Sequence, residues 1–84
     1  MHIAVDISLY PLAQAYIPPI QDFIARLEAA PGLRIDRNAL STQVSGDLAA
    51  VFATLEAEIA RTFAAPERAV FVLKIIGGGA AAAA

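Results

Sequence analysis

The stretch HIAVDISLYPLAQAYIPPIQDFIARLEAAPG, residues 2–32, decides the fold, because its apolar period changes once along the way. In residues 2–10, Ile3, Val5, Ile7 and Leu9 fall on one face, and His2, Ala4, Asp6, Ser8 and Tyr10 on the other. Alternation of this kind, with β-branched residues, predicts a strand. Pro11 stops it, because proline has no N–H to give to a ladder. From Ile17 the spacing becomes three and four. Ile17, Ile20, Phe23, Ile24 and Leu27 form one stripe, the signature of a helix with one buried side. Pro18 and Pro19 fit only a first turn, where N–H groups lack partners, so the helix begins near 17 or 18. Pro31-Gly32 ends it.

Working outward, residues 33–45 read as two short strands. Leu33, Ile35 and Arg37 share a face of the first, and Leu40, Thr42 and Val44 a face of the second. Asn38-Ala39 between them predicts a tight hairpin turn, since Asn tolerates the left-handed conformation such a turn needs. Gly46-Asp47 opens a second helix with Asp47 as its N-cap. Leu48, Val51, Phe52, Leu55, Ile59 and Phe63 form its stripe, while Glu56, Glu58 and Arg61 lie off it, with Glu58 expected to be exposed, and Pro66 ends it. A last strand runs from about Arg68 to Ile76. Its nearly continuous apolar run predicts a central strand covered on both faces.

The resulting order, β-α-β-β-α-β, predicts an α+β, ferredoxin-like sandwich: a four-stranded antiparallel sheet with two helices on one face. The first and last strands are expected in its middle. One domain occupies 1–76, and the GGGAAAAA of 77–84 reads as a flexible tail with nothing to pack. The face opposite the helices would expose Ala4, Val70 or Phe71, and Val72. An apolar patch of a few hundred Å² seldom stays bare on a monomer, so sheet-to-sheet homo-oligomerisation is expected.

Composition narrows the function. At 84 residues there is room for one core. With 58 % apolar and 17 % charged residues the chain is too apolar for disorder, and apolar enough to suggest a subunit contact, although 20 alanines soften that point. A net charge of −2 argues against a nucleic-acid binder. No cysteine means no disulfide or thiolate nucleophile, and the single histidine, His2, excludes a His-rich metal site. Met1-His2-Ile3 lacks the basic start of a signal peptide. The most apolar stretch, Ala69 to Ile76, is 8 residues and carries Lys74, against about 20 for a membrane span. A soluble cytoplasmic protein is expected.

No catalytic or metal-binding constellation emerges, and no cofactor is expected. His2 has no Ser or Asp partner at motif spacing. Gly77-Gly78-Gly79 leads into alanines rather than a phosphate-cradling helix. Glu56 and Glu58, two apart on a helix, diverge. Arg34, Asp36 and Arg37 suit a solvated hairpin edge that blocks strand addition. Asp6, Ser8 and Tyr10 are different. A carboxylate, a hydroxyl and a phenol share the face of a strand where apolar residues would be cheaper. They either line a pocket where two sheets meet or form a polar rim around that interface.

ISLYPL at 7–12, ALSTQVSGDLAAVFATLEAEI at 39–59 and AVFVLKI at 69–75 together resemble the YkoF-type thiamine/hydroxymethylpyrimidine-binding family, over residues 3–76. In that family a Ser-hydrophobic-Tyr-Pro strand end precedes a helix, and a Ser-Thr strand leads through Gly into a helix beginning near Val-Phe. The resemblance implies non-catalytic binding of thiamine or its pyrimidine moiety, in ferredoxin-like units that pair through their sheets. YkoF itself carries two repeats in one chain. A single repeat implies a homodimer or tetramer. Ser41 and Thr42 match the Ser-Thr strand, whereas Ser45 replaces a basic residue of the family pattern.

Thiamine's chemistry suits these residues. Its thiazolium cation favours an aromatic face and a carboxylate, such as Tyr10 and Asp6. An aminopyrimidine edge needs a donor and an acceptor, which Ser8, Ser41 or Thr42 can supply. The expected site is therefore Asp6, Ser8, Tyr10, Ser41 and Thr42, in a cytoplasmic carrier, buffer or sensor. Two rivals stand beside it: a ligand-free oligomerisation module, and a cofactor-free dimeric ferredoxin-like enzyme that would have to rely on His2.

Overall fold

The computed structural model describes residues 1–79. Six elements follow one another: β1 (His2–Pro11), α1 (Ile17–Ala29), β2 (Arg34–Arg37), β3 (Thr42–Asp47), α2 (Leu48–Phe63) and β4 (Ala69–Gly77). All strand pairs are antiparallel, and the sheet order is β2-β3-β1-β4. This is the ferredoxin-like α+β sandwich that the period change at residues 2–32 predicts. Its core lies between sheet and helices. Ile3, Val5, Ile7 and Leu9 of β1 meet Phe23 and Leu27 of α1, Val51 and Leu55 of α2, and Val44 of β3. Phe71 joins from β4, its ring 5.1 Å from Phe23 and 5.5 Å from Phe63.

Three expectations need correction. First, the central strands are β1 and β3, and β4 is an edge. A helix about 10 Å across spans about two strand spacings, so each crossover steps over one strand and its return strand lies outermost. The apolar run of β4 divides between two environments. Ala69, Phe71 and Leu73 pack against the core, whereas Val70, Val72 and Ile76 are exposed. Ladder register puts Val70, Val72 and Ile76 beside Tyr10, Ser8 and Ala4 on the helix-free face.

Second, the β2–β3 connection is not a tight turn on Asn38-Ala39. Residues 38–41 form a longer loop in which the Asn38 side-chain oxygen accepts from the N–H groups of Leu40 (2.8 Å) and Ser41 (3.0 Å). Asn thus works through its side chain. Among the described residues only glycines have positive φ. Leu40, expected to share a strand face with Thr42 and Val44, is 89 % exposed on this loop.

Third, Glu58 does not face solvent. Arg26 Nε donates to it at 2.6 Å and Arg26 Nη2 to Thr62 Oγ1 at 3.1 Å, which ties α1 to α2. Other local signals hold. Asp47 accepts from the Ala49 N–H at 3.2 Å as the N-cap of α2. At Gly46 the backbone φ of +158° is one that L side chains rarely adopt, and a Cβ there would also push the Leu33 side chain aside, 2.8 Å from its Cδ2. β4 runs one residue past the expected boundary, with Gly77 paired to Ile3. The rest of the expected tail from residue 80 lies outside the described residues. Among those described, no helix is long and apolar enough to cross a membrane.

Candidate ligand-binding site

Pleating sends Asp6, Ser8 and Tyr10 to the helix-free face of β1. There Asp6 stands level with Gln43 of β3 and Lys74 of β4, Ser8 with Val72, and Tyr10 with Val70. Ser41 joins this face. Its hydroxyl donates to the Asp6 carboxylate at 2.5 Å, bridging β1 to the start of β3. Thr42 is the next residue, so its side chain turns the other way, toward the helices. It is 5 % exposed and opposite Ile7 in the ladder. No hydrogen bond among the described residues engages its hydroxyl.

These residues meet at one end of the sheet. A cavity of about 340 Å³ opens there between the last residues of β1, the first turn of α1 and the 38–41 loop. Ser8, Tyr10, Ser41 and Thr42 all line it; Asp6 does not, and reaches it through Ser41. Because the cavity wraps around the end of the sheet, residues from both faces contribute. Ile20, Phe23 and Ile24 of α1 form its apolar floor, with Tyr16 and Leu40 at the sides.

Tyr16 and Asn38 line this cavity too, and the sequence reading did not single them out. Tyr16 precedes the Pro-Pro pair that fixes the start of α1, and an aromatic at that position is the one available signal. Asn38 was legible as a turn residue only. Its side-chain oxygen is committed to the loop, which leaves its amide N–H groups as donors. The arrangement can hold a flat heterocycle between apolar and aromatic walls, offer hydroxyl donors and acceptors to its edge, and place a carboxylate near a cation. Volume and lining fit a small-molecule site.

Sequence comparison agrees with the fold. The profile of the YKOF-related family matches residues 2–75. The chain belongs to the YKOF-related family. Several solved structures share the fold of this YKOF-related chain. A Streptococcus pneumoniae protein superposes with a TM-score of 0.85 at 18% identity, over 95% of this chain and 90% of its own. A Thermotoga maritima protein, named for a candidate role in thiamine biosynthesis or salvage, gives 0.82 at 17%, over 93% and 85%. A hypothetical protein from Methanocaldococcus jannascii gives 0.80 at 20%, over 94% and 82%. No curated protein matches the YKOF-related chain.

Proposed function

We propose that this protein binds thiamine or its hydroxymethylpyrimidine moiety, without catalysing a reaction, in the cavity at the end of β1 and β3. The observation that carries the reading is the cavity itself. It gathers Ser8, Tyr10, Ser41 and Thr42 in one small volume, with Asp6 one hydrogen bond away, in a chain of the YKOF-related family. The pyrimidine lies against the apolar floor with its edge toward Thr42 and Ser41. A thiazolium, where present, lies toward Tyr10 and Asp6. The rim carrying Ser8, Tyr10 and Ser41 borders the helix-free face. A second copy packing its sheet on that face completes the wall of the site, in a homodimer or tetramer. The protein then serves as a cytoplasmic carrier, buffer or sensor.

A second reading, a ligand-free oligomerisation module, has one observation in its favour: the exposed apolar side chains of Val70, Val72 and Ile76 on the open face. Thermal shift separates the two. Thiamine or hydroxymethylpyrimidine at 100 times its dissociation constant stabilises the folded state by about 2.7 kcal/mol, which is several degrees in so small a domain. An unchanged melting temperature with both compounds favours the module.

A further inference from the structure

We propose that the cavity selects the free alcohol form of its pyrimidine ligand and rejects the phosphate ester; this rests on the pyrimidine-binding reading above. The first reason is charge. Asp6 is fixed beside the cavity by its bond from Ser41, and none of the described residues lining the cavity is a lysine, arginine or histidine. The neighbouring basic residues are placed elsewhere. Arg37 lies 3.6 Å from Glu28, and Lys74 stands level with Asp6 on the open face, outside the lining.

The second reason is the helix that opens on the site. Tyr16 and Ile20 line the cavity, so the first turn of α1 borders it. A helix start is ordinarily a ready anion cradle, because its N–H groups point outward without partners. Here Pro18 and Pro19 occupy that turn. Proline has no N–H, so the turn that borders the cavity offers an anion two fewer amide donors than an ordinary helix start.

The third reason is size. A phosphoryl group on the hydroxymethyl arm sits next to the pyrimidine ring, so with the ring in a cavity of about 340 Å³ the phosphate lies against the same cation-free lining. The ester carries about −1.5 to −2 charges at neutral pH, and burying such charge without a counter-ion is strongly unfavourable. The alcohol asks only for one donor and one acceptor, which Ser8, Ser41 or Thr42 can give.

Calorimetric titration of the full chain with hydroxymethylpyrimidine and with its monophosphate tests this. The alcohol should bind at least tenfold more tightly, a difference of about 1.4 kcal/mol. Asp6→Asn keeps an acceptor for Ser41 and removes the charge, so it should narrow the gap at least threefold. Pro19→Ala returns one amide donor to the turn and should narrow it in the same direction, which also covers a failure of Asp6→Asn to fold. Equal or tighter binding of the monophosphate overturns the selectivity and leaves the pyrimidine reading standing. A gap that neither variant narrows also overturns it. Binding of neither compound overturns the selectivity, and the pyrimidine reading falls with it when thiamine also fails to bind.

Discussion

Tyr10 and Thr42 represent the two kinds of contact at the site. Tyr10 is exposed at the end of β1 and offers an aromatic face to a cation. Tyr10→Ala should weaken thiamine binding by about 1–2 kcal/mol where that contact is desolvated, read by calorimetry, with the melting temperature nearly unchanged. Thr42, 5 % exposed as a residue, lines the cavity, and its hydroxyl has no hydrogen-bond partner among the described residues but is not sealed from solvent. Thr42→Val keeps its shape and removes a donor and an acceptor. Binding should fall about tenfold, the effect of one unmade buried hydrogen bond, while folding changes little. Glu56→Ala is the proper control, since Glu56 is exposed on α2, whereas Glu58 holds Arg26. The shared face of Asp6, Ser8 and Tyr10 was legible from alternation alone. That Ser41 and Thr42 point oppositely follows from the same period. That both still reach one cavity does not, because it depends on the cavity rounding the end of the sheet. Tyr16 and Asn38 were illegible as cavity-lining residues, because their positions depend on loop conformation.

At the scale of elements, helix limits and caps were written locally. The Asp47 cap is an example. Its carboxyl is held below its usual range, first by the hydrogen bond from the Met1 ammonium and that group's charge, then by the Ala49 and Ala50 N–H groups, with burial opposing. A carboxylate with a lowered folded pKa stabilises above its unfolded value of about 3.9, and loses that contribution as pH falls through the folded value. Asp47→Ala should therefore lower stability at neutral pH, as the loss of an N-cap does. Thermal melts of the two proteins should converge as the pH drops below about 4. A gap as large in acid as at neutrality would contradict the charged cap. Strand order was less legible. An apolar run with no alternation is shared by central strands and by edge strands with an uncovered outer face. Only the crossover geometry separates them, and it puts β4 at the edge. The opposite edge is the four-residue β2, where Arg34 pairs with Asp36 at 3.0 Å, a charged rim of the kind expected to discourage strand addition.

For the whole molecule, the helix-free sheet face is the feature on which the proposed homo-oligomer rests. Val70, Val72 and Ile76 are exposed along β4 on this face, interrupted by Lys74, which lies in a polar row with Asp6 and Gln43 that crosses the sheet. Light scattering at micromolar concentration should give at least twice 8.8 kDa. Ile76→Glu, at the end of the face remote from the cavity, should shift the protein toward monomer, since Ile76 is 73 % exposed in the single chain. A clean monomer for the unmodified protein would remove the paired-sheet wall from the site. The ferredoxin-like plan was readable because period, caps and breakers agree along the chain, whereas assembly depends on a surface whose partner no local pattern specifies. The most direct measurement is calorimetric titration of thiamine into the unmodified protein, Tyr10→Ala, Thr42→Val and Glu56→Ala. Saturable binding to the unmodified protein and Glu56→Ala, weakened about tenfold in the two site variants, is the predicted result. No saturable binding to the unmodified protein, or all four titrating alike, would contradict a thiamine site at the end of β1 and β3.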